Sequence, residues 1–328
     1  MKDMFSGPNI RSSEEMVTMA KSREELLSKL APYRNRLVEQ QVLKDIDFGL
    51  VRTILTEEFK SGVTLESRGT RLPQIPTQED ILFVTPEGLQ VIGAPTNIDM
   101  TYQPATGLII VNVKNIASAM LNSRSLSPRS RFLEILFHEF NHVLSSQSSR
   151  KENPGEIIQV GVQELLVSGD NIIGTRFEFI NEAMNNLRGR QLAARYLRSS
   201  PLDQRSRKDA EVLDDLYLNT DADPVRVLGA VVLKVMAERI AAHTGMEMDT
   251  VWKSFWHAGL NGLQLSSKDV RQSLNLDEIF GPEFTKSLTN FSPQDAIQFL
   301  VKEGVVERDP KFRELLHRSF GIRVEARK

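Results

Sequence analysis

The chain has 328 residues, 41 Lys+Arg against 43 Asp+Glu, a net charge of −2 and no cysteine. That balance argues against a general polyanion binder, and the lack of Cys excludes disulfides and thiolate metal ligands. Hydrophobic residues at 40% and charged residues at 26% are ordinary for a globular chain long enough for one large domain or two smaller ones. Met1–Ser22 is polar and lacks the apolar centre of a secretory signal. No run approaches the ~18 apolar residues of a membrane span. The expected location is the cytoplasm, with signal-less export as the other route, and no nucleic-acid partner is expected.

Residues 1–12 read as disordered. Ser12-x-x-Glu15 and Ser22-x-x-Glu25 have capping-box spacing. Helices are expected at about 22–42 and 43–60, carried by Leu26, Leu27, Leu30, Leu37, Leu50, Ile54 and Leu55. Arg34, Arg36, Glu39 and Lys44 read as solvated faces. A Gly/Thr/Pro loop follows over 61–79.

The period then changes. Ile81–Thr85, the turn Pro86-Glu87-Gly88 and Leu89–Ile92 read as one β-hairpin. Asn97–Tyr102, the turn at residues 103–107 and Leu108–Val113 read as a second. A small antiparallel sheet is therefore expected just before the next helix.

Ser127-Pro128 opens that helix, with Ser as cap and Pro at the first helical position. Phe132, Leu133, Ile135, Leu136, Phe137, Phe140, Val143 and Leu144 cover most of its circumference, which predicts a largely buried helix. Inside it lies His138-Glu139-Phe140-Asn141-His142. Positions i and i+4 share one helix face, so His138 and His142 can grip one zinc ion. Glu139, beside the first ligand, is placed to take a proton from a zinc-bound water. With 5 His in the chain, chance would supply this pattern roughly 0.006 times. Ser145–Arg150 is polar and ends the helix.

A hydrolytic zinc site needs a third protein ligand and an open position. No His follows within a dozen residues, so the metzincin extension is absent, and peptide deformylase is excluded with its Cys ligand. His243, His257 and downstream carboxylates remain. Among them Glu182 lies in Phe177–Met184, which reads as an apolar helix with an inward carboxylate. Glu164 and Glu178 are rivals.

Over His138 to about Leu187 the sequence resembles the gluzincins, the zinc peptidases typified by thermolysin and neprilysin. In that family an Asn-Glu dipeptide on a second helix completes the metal site; Asn181-Glu182 matches it. The resemblance implies one Zn2+ held by His138, His142 and Glu182, with Glu139 as general base in peptide-bond hydrolysis. It also implies a substrate-binding edge strand, for which Leu108–Asn112 is the candidate. The gap from His142 to Glu182 is 40 residues, longer than in thermolysin. Residues 151–174 are thus expected as an excursion with short strands at Ile157–Gly161 and Leu165–Val167. One turn after Glu182 the family has an acid; here it is Asn186.

The expected fold class is α+β and zincin-like: small antiparallel sheet, metal helix, mostly helical C-terminal lobe. The expected division is a helical segment 1–75, a prosegment or cover or a layer on the sheet; a catalytic core 76–190; and a helical lobe 191–328. In that lobe helices are expected from Asp223-Pro224 to about His243, then at 247–258, 267–276, 293–302 and 310–318. Tyr196, Tyr217, His243 and His257 are possible oxyanion donors. Trp252–His257 reads as helix packing or a pocket wall, and His317 as an exposed residue. The expected activity is zinc-dependent cleavage of a peptide or protein. Alternatives are a vestigial zincin acting as a regulatory or binding protein, a DNA-linked metalloprotease, and a narrow-specificity effector of the lethal-factor-like kind.

Overall fold

The computed structural model describes residues 13–62, 74–103, 106–145, 147–152, 155–168, 171–200, 204–217, 223–260 and 274–322. The expected disorder at 1–12, most of the 61–79 loop and most of the helix expected at 267–276 lie outside these residues. The chain is mixed α+β and mostly helical, with two small sheets. It divides into two compact units: residues 1–144 with 188–214, and residues 145–187 with 215–328.

The first unit begins with α1 (Ser13–Leu30), α2 (Arg36–Leu43) and α3 (Phe48–Gly62). The first predicted helix is thus two, because the chain leaves α1 through a 3-10 turn at Ala31–Tyr33 that contains Pro32. Proline lacks the N–H that a continuing helix needs. Asn35 restarts the helix by accepting from Val38 N at 3.2 Å. This segment lies on the first sheet: Asn35 N donates to Phe83 O, Thr85 N donates to Tyr33 O, and Leu26, Leu27 and Leu30 pack with Leu82, Val84, Leu108 and Ile110.

That sheet has the order β1-β3-β2, from β1 (Ile81–Val84), β2 (Met100–Gln103) and β3 (Leu108–Asn112). β1 runs parallel to β3, with Ile81 opposite Ile109, and β2 runs antiparallel to it, with Met100 opposite Val111. Two expectations are corrected here. Residues 86–91 form a helix, α4 (Pro86–Val91), and not the return arm of a hairpin. Pro86 serves as a helix start, and Gly88 and Leu89 face inward. The sheet is consequently mixed, and β1 reads as an unbroken buried run because both of its faces are covered. The hairpin β2–β3 is found as expected. Leu108–Asn112 is the central strand, paired on both edges, so it has no free backbone to offer a substrate.

α5 (Val113–Leu121) follows, capped by Asn112, and then α6 (Pro128–Leu144). Ser127 Oγ accepts from Ser130 N at 3.3 Å, and Asp209 Oδ2 accepts from Ser127 N at 3.1 Å. α6 is buried on nearly every face, as its composition predicts, and packs on α3, α5, β2 and α8 (Gln204–Asp214).

The second unit opens with a four-stranded antiparallel meander: β4 (Gln147–Glu152), β5 (Gly155–Val160), β6 (Gln163–Ser168) and β7 (Asn171–Arg176). It is larger than the expected excursion and begins inside the stretch read as a polar helix end. α7 (Glu178–Ser199) then runs unbroken, its first residues counted with the second unit and the rest with the first. α9 (Pro224–Thr244), capped by Asp223, α10 (Met248–Leu260), Pro293–Lys302 and Pro310–Phe320 occupy the predicted helical stretches. Their apolar faces enclose one core with Ile180, Ala183 and Met184 of α7.

Candidate metal centre

Helix geometry brings the first two candidate ligands together. His138 and His142 lie one turn apart on α6, and their Nε2 atoms face each other at 3.3 Å. Two nitrogens on a tetrahedral ion at ~2.0–2.1 Å are separated by roughly 3.3–3.4 Å, so the pair already has the edge length that zinc requires. A carboxylate oxygen of Glu182 completes the group: the three ligand atoms all lie within 4.8 Å of one another. Among the described residues this is the one group of three or more His, Cys, Asp or Glu so placed. Two imidazoles and a carboxylate suit zinc and related divalent transition ions. His138 is buried, while His142 and Glu182 are half-buried, so the cluster combines a dry side with an accessible one.

Glu139 points elsewhere than its neighbour. Its Oε2 accepts from the backbone N–H of Tyr102 at 2.9 Å. β2 is an edge strand, and this N–H is directed away from β3. The general-base candidate is therefore oriented by the sheet rather than by its own helix. Sequence reasoning missed this contact because a backbone donor has no signature in residue type.

Glu182 is held by its neighbours on α7. Asn181 is buried; its Oδ1 accepts from Val162 N at 3.2 Å, which ties the helix to the β5–β6 turn. Gly161 in that turn has φ +63°, and a Cβ there would lie 2.7 Å from Asn181 Oδ1. On the far side of Glu182, a Cβ added to Gly229 of α9 would lie 2.7 Å from Ala183 Cβ. Glycine at 161 suits the left-handed turn beside Asn181, and glycine at 229 leaves room for Ala183.

The rival ligands have other partners. Glu164, on β6, is buried and pairs with Arg176 at 3.3 Å. Glu178 opens α7 and accepts from Thr175 Oγ1 at 2.8 Å. His243 Nε2 stands 3.4 Å from Glu278 on an exposed surface. His257 lies on α10 and is not part of the metal-ligand group.

The oxyanion candidates are likewise placed. Tyr196 is buried, and its hydroxyl accepts from Asp47 N at 2.9 Å. The Tyr217 hydroxyl donates to Asp309 Oδ2 at 2.7 Å, while Asp309 caps the helix Pro310–Phe320. Burial and then the Asp309 carboxylate hold the Tyr217 phenol far above its ordinary range. It remains neutral and donates to a fold-holding acid. Trp252 stacks on Trp256 and packs against the core of the second unit, and His317 is exposed. Asn186, one turn after Glu182, is buried, and its Nδ2 has no hydrogen-bond partner among the described residues.

Among the described residues no helix is long and apolar enough to cross a membrane. No protein-family model, no curated protein and no solved structure matches the chain.

Proposed function

We propose that the chain is a zinc-dependent hydrolase of peptide bonds, with His138, His142 and Glu182 as the metal ligands and Glu139 as the general base. The observation that carries this reading is the 3.3 Å separation of the two imidazole nitrogens with the Glu182 carboxylate alongside. A bound zinc ion supplies Lewis acidity, which acidifies water and polarises a carbonyl. The rest is the work of the chain. The Tyr102 N–H fixes one oxygen of Glu139, and the carboxylate accepts the proton of the attacking water. As the C–N bond breaks, Glu139 returns that proton to the departing amine nitrogen. β2 is an edge strand beside this carboxylate, so an extended substrate backbone is placed along β2 rather than Leu108–Asn112, with the Tyr102 N–H kept by Glu139.

A second reading has one observation in its favour. Asn186 stands as a buried neutral amide where an acid supports the imidazole in the gluzincins. That suits a catalytically weak zincin that binds its partner without cutting it. Incubation of the zinc-loaded full chain with unfolded casein and with a peptide library separates the two. Chelator-sensitive fragments are expected. Intact substrates beside a stoichiometrically zinc-loaded protein would favour the binding protein.

A further inference from the structure

We propose that Gly189 is a positioning residue of the metal site, setting the depth at which α7 meets α6 at His138; this rests on the metal-site reading above. A Cβ at Gly189 would lie 2.8 Å from His138 N, 2.9 Å from His138 Cα and 3.2 Å from Phe137 C. All three are backbone atoms of α6, so no side chain can swing aside. Ordinary carbon contacts need about 3.5–4.0 Å, so a methyl group forces the helices apart by roughly half an ångström or more. Metal constellations tolerate about that much error and no more.

The same helix carries Glu182 seven residues earlier, two turns away on the same face. The approach of Gly189 to the backbone of one ligand thereby governs where another ligand projects. The flanking residues prevent α7 from sliding to relieve the crowding. Arg188 Nε donates to Glu58 Oε1 at 2.6 Å. Arg190 is buried; its Nε lies 3.8 Å from Glu134 Oε1, one turn before His138, and it donates to the carbonyls of Val212 and Leu213 at 3.2 Å. With both neighbours anchored, a displacement at Gly189 is taken up at His138.

Helix propensity alone favours alanine at such a position, so a glycine inside a long helix calls for a packing reason. The test compares full-length wild type, Gly189→Ala and Gly88→Ala. Gly88 is the crowding control: its added Cβ would lie 2.7 Å from Tyr33 Cβ. The readouts are the zinc dissociation constant by chelator competition and the visible spectrum of the cobalt-substituted protein. Gly189→Ala is expected to bind zinc about 10–100-fold more weakly and to alter the cobalt bands. Gly88→Ala is expected to keep both, whatever its thermal stability. A folded Gly189→Ala with wild-type affinity and spectrum overturns the proposal while leaving the site reading intact. A wild type that takes up no zinc overturns both. Should Gly189→Ala fail to fold, Arg188→Gln frees the anchor at Glu58 without adding an atom to the helix face. A loss of about threefold or more in zinc affinity then supports the proposal, and an unchanged constant overturns it.

Discussion

The backbone N–H of Tyr102 donates to Glu139 Oε2 at 2.9 Å, so the edge strand of a three-stranded sheet aims the carboxylate of a helix. Replacing Tyr102 with Pro deletes that donor and no β3 hydrogen bond, since the N–H points off the open edge. Loss of a hydrogen bond to a charged group corresponds to on the order of 10–100-fold in turnover. Zinc content is expected to stay at one equivalent. Tyr102→Phe, which keeps the amide, is the control, and equal turnover in Tyr102→Pro and Tyr102→Phe would dismiss the role.

Glu139→Gln keeps the shape of the side chain and removes its basicity. Turnover is expected to fall by roughly 10²–10⁴-fold with zinc retained. Metal analysis and peptide cleavage on the same preparation check this, and hydrolysis at the wild-type rate would remove Glu139 from the mechanism.

The third ligand is decided by metal content. Glu182→Ala and His142→Ala are expected to lose most bound zinc under dialysis against a weak chelator. Glu164→Ala is expected to keep it, because that carboxylate is engaged with Arg176 at 3.3 Å. A full equivalent of zinc in dialysed Glu182→Ala would reassign the ligand.

The helix Pro293–Lys302 carries a capping box that makes part of the stability pH-dependent. Asp295 Oδ2 accepts from Ser292 Oγ at 2.6 Å and from Ser292 N at 2.9 Å. The Ser292 hydroxyl first, and its backbone N–H second, hold the Asp295 carboxyl below the ordinary aspartate range. A carboxyl whose folded pKa is depressed contributes stability that is present above the unfolded pKa. That contribution is lost as the pH falls through the folded pKa. Ser292→Ala is expected to lower stability by about 1 kcal/mol at neutral pH. The gap to wild type should narrow on acidification below the ordinary aspartate range. Thermal melts at pH 7 and in that acidic range measure it, and a gap that widens in acid would contradict the assignment.

Much of the site could be read from local sequence. His138 and His142 share a face because α-helices repeat every 3.6 residues, and the apolar residues around them mark that helix as buried. The caps at Asp223, Ser292 and Asp309 are equally local, and the helices they open fall where expected. The hairpin β2–β3 was legible because the Thr-Tyr pair of one arm and the apolar Leu-Ile-Ile-Val run of the other flank a short turn rich in Pro, Thr and Gly.

What depended on distant partners was not legible. Pro86-Glu87-Gly88 serves equally as a turn or a helix start, and only the parallel pairing of β1 with β3 decides for the helix. Which strand lies at the sheet edge is a property of the whole sheet, and the residues of β3 and β2 carry no mark of it. Glu164 and Glu182 are both carboxylates among apolar residues; Arg176 engages one, and the course of α7 brings the other to the imidazoles. By itself the sequence determined that His138 and His142 share one face of a buried helix, because that placement rests on spacing within a single turn. Only the tertiary structure brings Glu182 within reach of the two imidazoles, the Tyr102 amide to Glu139 and Gly189 against the backbone of His138. Each of these is a contact between residues far apart in the chain, and helical or strand periodicity carries no record of them.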